Sequence, residues 1–159
     1  MEKETSDRLI SFLEGMLPFY RKFLEVETNK YQDLAAGKLD SLNAHVRREE
    51  AFVLKARGME QERQRLLEEA GLGGKTFRES IPSFPAEEKD RLEKLYRDLS
   101  GTVGQIRAVN SKNSSLTRLK LGQISRILSR LENNPELKRI YGEKLNAAAP
   151  ADSFYSKKV

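Results

Sequence analysis

Apolar residues recur at intervals of three and four through three long stretches of this chain, and most of its glycines and prolines lie outside those stretches. Such spacing lines up side chains along one face of a helix, whereas a strand needs alternation with a period of two. The first stretch spans about residues 5–36 and carries Leu9, Phe12, Leu13, Met16, Tyr20, Phe23, Leu24, Tyr31 and Leu34. Thr5 or Ser6 is placed to cap its first turn. Pro18 lies inside it and removes one backbone bond, which predicts a kink near Glu14 rather than an end to the helix. Gly37 stops this helix, and Asp40 is placed to cap a second over about 40–70, with Leu42, Val46, Phe52, Val53, Ala56, Met59, Leu66, Leu67 and Ala70 on its stripe. A link rich in Gly and Pro follows, carrying Leu72, Phe77, Ile81 and Phe84; it predicts a plug for the bundle end, with one helical turn near Thr76 to Ser80. The third stretch runs over about 86–133, opened by Pro85, Glu87, Glu88 and Asp90 and closed by Asn134 and Pro135.

The pattern predicts an all-α fold: an elongated antiparallel three-helix bundle or coiled coil in one domain over residues 1–134, followed by a flexible tail over 135–159. Unequal lengths carry the functional consequence. The first two helices can shelter the third only to about residue 117, so residues 118–133 would extend ~24 Å beyond them at the rise of an α-helix. That overhang still presents Leu119, Leu121, Ile124, Ile127, Leu128 and Leu131, an apolar face that needs cover from a partner helix, a second copy of the chain or the tail.

Several functions are disfavoured. The chain has no cysteine and one histidine, His45, so no thiolate or histidine-rich metal site can be assembled, and no cofactor is expected. His45 reads as a surface residue. The carboxylates Glu49, Glu50, Glu60, Glu62, Glu68 and Glu69 alternate with arginines and lysines as on a solvated helix flank, and nothing in the pattern builds a catalytic pair. Gly74, Lys75 and Thr76 match the end of a phosphate loop, but Glu69 stands where its first glycine belongs. With no apolar leader and no apolar run of membrane-spanning length, the expected location is the cytoplasm, without membrane insertion. The net charge of +5 comes from the last third, where residues 110–159 hold ten basic against four acidic side chains. Nucleic acid is not the expected partner, because residues 97–140 contain no aromatic platform for base stacking.

Polar Asn110 and Asn113 interrupt the third stripe on its inward face, where a buried amide specifies register at some cost in stability. Together with Leu116, the apolar helix after it, Tyr141 and Gly142, and a small-residue tail that contains Ser153, they make a pattern that resembles the FlgN family of flagellar chaperones. The order of elements agrees across nearly the whole chain, including Leu66, Leu67 and Gly71 before a loop; Leu145 stands where the family often has a second tail glycine. The resemblance implies a cytosolic, non-enzymatic chaperone of type III flagellar export. Such a protein binds the helical terminus of hook-associated proteins, those of the hook-filament junction, prevents their aggregation and delivers them to the export gate. On this chain the client would lie on Leu116, Leu119, Leu121, Ile124, Ile127, Leu128 and Leu131, and Tyr141 would contact the gate. The competing reading is a homodimeric coiled-coil adaptor with no exported client.

Overall fold

A computed structural model describes residues 1–130 together with Glu136 and Arg139, and among these every regular element is helical. Four α-helices follow in order: α1 (Lys3–Ala35), α2 (Leu42–Glu69), the single turn α3 (Phe77–Ser80) and α4 (Ala86–Arg130), with short 3-10 turns at Leu39–Ser41 and Ile81–Ser83. The tail expected over 135–159, and the end of the third helix near 133, fall outside the described residues apart from Glu136 and Arg139.

α1 runs unbroken through Gly15 and Pro18. It starts at Lys3, earlier than either expected cap, and no side chain caps it. α1 and α2 end by the same device. Gly37 adopts φ +71° and Gly71 φ +72°, a region costly for residues with a Cβ. Lys38 N–H donates to Asp33 O at 2.8 Å and Gly37 N–H to Leu34 O at 3.2 Å, while Leu72 N–H donates to Leu67 O at 2.7 Å and Gly71 N–H to Glu68 O at 2.9 Å. These crossed bonds satisfy carbonyls that a helix end would otherwise leave without donors. Asp40 is not at the cap position; it lies inside the 3-10 turn that leads into α2, and Ser41 at the cap position makes no capping bond.

Between residues 71 and 85 the chain forms the expected plug. Thr76 caps α3 reciprocally with Glu79: Glu79 N–H donates to Thr76 Oγ1 at 3.3 Å and Thr76 N–H to Glu79 Oε2 at 2.9 Å. The residues that resembled a phosphate loop are thus the entry to a helical turn. Leu72, Phe77, Ile81 and Phe84 are buried beneath it, with Phe77 edge-on to Tyr96 at 5.8 Å.

The topology is up, down, up. α1 is the common partner, packing along both α2 and α4, whose own backbones approach each other far less. Arg8 pairs with Glu69 at 3.3 Å near one end of α1, and Arg91 of α4 with Glu14 at 2.6 Å. Leu9, Leu13, Met16, Tyr20 and Phe23 of α1 meet Val53, Ala56, Leu66 and Leu67 of α2 and Leu92, Leu95, Leu99 and Ile106 of α4 in a continuous apolar core. Phe19 stacks on Phe52 at 5.4 Å. This part of the interior is dry enough that burial, with help from the Glu60 carboxylate, pushes the Tyr20 phenol above its ordinary pKa.

Candidate functional site

Beyond Phe23 and Ile106 the same stripes continue, but with polar side chains. In α1 the spacing of threes and fours runs from Leu9 through Phe23 to Glu27, Lys30 and Leu34, all buried. In α2 it reaches Glu49, His45 and Leu42, and in α4 Asn110, Asn113 and Thr117, again all buried. Lys30 Nζ donates to Glu49 Oε2 at 2.7 Å, with the two residues only 1% and 2% exposed. Asn113 Nδ2 donates across the interface to Glu27 O at 3.1 Å and Glu27 Oε2 at 3.2 Å. His45 Nε2 lies 2.5 Å from Asp33 Oδ2, which also accepts from Ser41 Oγ at 2.7 Å. These two hydrogen bonds, from His45 first and then Ser41, hold the Asp33 carboxyl below its ordinary pKa.

Two expectations fail here. His45 is not a surface residue: its ring is buried against α1, where the half-buried Asp33 gives it a partner. Glu49 does not belong to a solvated flank, because Lys30 neutralises it inside the interface. Arg63 departs from it too, buried at 6% beside Glu60, whereas at Arg65 the flank reading holds: it pairs with Glu62 and Glu69, and those carboxylates are 40% and 41% exposed. The signal for Glu27, Lys30, His45 and Glu49 was present in the spacing, but a stripe read only through apolar residues passes over it. Asn110 and Asn113 are buried on the inward face, as expected.

A last apolar cluster closes this polar section. Leu34 and Leu42 are buried, with Leu39 and Leu116 packed against them. Leu116 is therefore where α4 draws level with the turn that joins α1 to α2. α4 does not stop there. It continues to Arg130, so residues 118–130 extend roughly 20 Å further at helical rise.

The residues expected on one face of this extension are not equivalent. Leu121 and Leu128 are half-buried, Ile127 is 49% exposed, and Ile124 is buried at 9% although it belongs to neither apolar cluster. Leu119 is 57% exposed for a geometric reason: five residues before Ile124, it lies about 140° around the helix from it. The structure thus brings Leu121, Ile124, Ile127 and Leu128 toward one side and leaves Leu119 off it. Leu131 and Tyr141 lie outside the described residues. From Leu99 to Leu131 the sequence contains no Asp or Glu.

Nothing among the described residues assembles a group of acidic, His or Cys side chains able to hold a metal. The open cleft between α1 and α2, lined by Gly15, Pro18, Phe19, Lys22, Ala51, Phe52 and Lys55, contains no hydroxyl, thiol, imidazole or carboxylate side chain. No helix among the described residues is long and apolar enough to cross a membrane.

A bundle of this topology with an amide-bearing, extended last helix agrees with a family match over residues 1–149, described as FlgN protein. The chain belongs to the FlgN family. FlgN proteins serve as flagellar export chaperones, which bind substrates of flagellar export. A curated relative from Bacillus subtilis (strain 168), "Uncharacterized protein YvyG", is 28% identical over 151 residues, a match that covers 91% of each chain. No solved structure matches the chain.

Proposed function

We propose that this FlgN protein acts in the cytoplasm and uses the extension of α4 to capture the helical terminus of hook-filament junction proteins. It keeps that terminus from aggregating and delivers it to the export gate, with Tyr141 as the gate contact. The reading is supported chiefly by one observation: Leu116 packs against the last apolar cluster of the hairpin, while α4 runs on past it with Leu121, Ile127 and Leu128 incompletely covered. An amphipathic client helix laid on that seam would bury apolar area on both partners, the usual mode by which a helix fills a groove. Leu116 would contribute at the near edge of the site, Ile124 at its centre and Leu131 at its far end.

The test is an Ile127→Asp, Leu128→Asp double variant. Both residues lie beyond the hairpin, so circular dichroism and the melting temperature should stay close to those of the parent, while pull-down of a hook-filament junction protein from the source cell should be lost. Retained capture would remove the seam from the binding site. Light scattering across concentrations separates the alternative, since a stable homodimer abolished by the same substitutions would indicate that the seam serves self-association.

A further inference from the structure

The polar section of the bundle shows how this fold accommodates a lysine on a helix stripe, and the extension repeats the situation with half of the arrangement missing. Lys30 stands on the α1 stripe three residues after Glu27 and four before Leu34, and Glu49 reaches across from α2 to meet it at 2.7 Å. On α4, Lys120 stands three residues after buried Thr117 and four before buried Ile124, so it occupies the corresponding place on its own stripe. Lys120 is half-buried and forms no ion pair with a described residue. α4 cannot supply a carboxylate locally either, because no acidic residue occurs between Asp98 and Glu132. On the exposed side of the same extension, Arg118, Arg126 and Arg130 add positive charge.

We propose that the segment docking on residues 118–130 is an amphipathic helix that places a carboxylate in its own apolar seam, opposite Lys120, as Glu49 does opposite Lys30. The inference rests on the reading of this seam as the client site and adds a chemical rule for what it accepts. A leucine seam lacking that carboxylate would bury the Lys120 ammonium without a counter-charge, and a partner with a lysine there would add repulsion. Each is an energetic penalty against the wrong partner, so Lys120 acts as a specificity-determining residue. The flanking arginines strengthen the preference and raise the encounter rate with an acidic partner. An acidic helix suits these observations better than nucleic acid, since the stripe is apolar around Lys120 and the extension carries no aromatic residue.

The test uses the full-length protein and three fluorescein-labelled synthetic helical peptides. They share a leucine seam at intervals of three and four and differ only at one central seam position, which is Glu, Gln or Lys. Anisotropy titrations at low salt should rank Glu over Gln by about tenfold, the equivalent of a well-placed charge pair, with the Lys peptide weakest. Lys120→Met should remove most of the preference between Glu and Gln, leaving only the small part due to the arginines, and Lys120→Glu should reverse the order so that the Lys peptide binds best. Circular dichroism and melting of both variants check that the bundle is intact. Equal affinities for all three peptides, with binding still lost on Ile127→Asp, would overturn the charge rule and leave the docking site standing. No binding of any peptide would overturn the docking site itself and the rule with it. Tighter binding to a random-sequence DNA oligonucleotide or to phosphatidylglycerol vesicles than to the Glu peptide would also overturn the proposal.

Discussion

The two ends of this bundle use one helical spacing with opposite chemistry. Near the plug, the stripes of α1, α2 and α4 supply Leu, Met, Phe and Val, with Phe19 stacked on Phe52 and Phe77 edge-on to Tyr96. Near the turn at Gly37, the same positions hold Glu27, Lys30, His45, Glu49, Asn110 and Asn113, sealed by the small cluster around Leu34 and Leu42. Apolar burial is non-directional and tolerates sliding, whereas a buried amide or ion pair is satisfied in one register only. The first end supplies most of the stability; the second fixes how the helices align just before α4 leaves their shelter.

The sharpest way to break that division is to exchange its consequences. Phe23→Ala removes a fully buried ring from the apolar section and should cost about 3–5 kcal/mol, read as a large drop in the urea midpoint. If it costs no more than a surface change, the apolar end is not the source of stability. Lys30→Met alone leaves Glu49 buried without its counter-charge and should cost ~3 kcal/mol or more. Adding Glu49→Leu should recover most of that loss, because the pair contributes register more than net stability. A double variant as unstable as the single would show that the ion pair itself stabilises the fold.

Smaller effects sharpen the comparison. Asn113→Ala removes the donor to Glu27 and should cost roughly 1–3 kcal/mol by chemical denaturation. The pH profile should be affected least. Asp33 is depressed in the folded state by hydrogen bonds from His45 and Ser41, so its contribution is fully present above the ordinary carboxylate pKa and is lost as pH falls through the lower folded value. The dependence of melting temperature on pH through the acid range should therefore be flatter for Asp33→Asn, which melts below the parent at neutral pH and converges on it as pH falls through the folded value.

Much of this arrangement is legible in the sequence. The stripe from Leu9 to Phe23, the stop at Gly37, the turn after Thr76 and the inward-facing Asn110 and Asn113 all follow from local spacing and turn chemistry, which one segment of chain determines by itself. His45 and Glu49 were misplaced because their burial depends on what another helix brings to them. A charged residue on a stripe is tolerable only with a counter-charge opposite, and periodicity within α2 cannot reveal that Asp33 and Lys30 of α1 arrive at the right height. At the candidate site, the limit of shelter near Leu116 could be found by comparing helix lengths, whereas the separation of Leu119 from Ile124 required attention to angle as well as to spacing.

The paired stops at Gly37 and Gly71 make the reach of α4 a difference between two lengths. A heptad added to the end of α1, with a matching heptad at the start of α2, would advance the turn by about 10 Å and bring the sheath up to Ile124, while α4 kept its own sequence unchanged. A lineage, or an engineer, can in this way retune how much of the rod is offered to the outside by editing the hairpin alone.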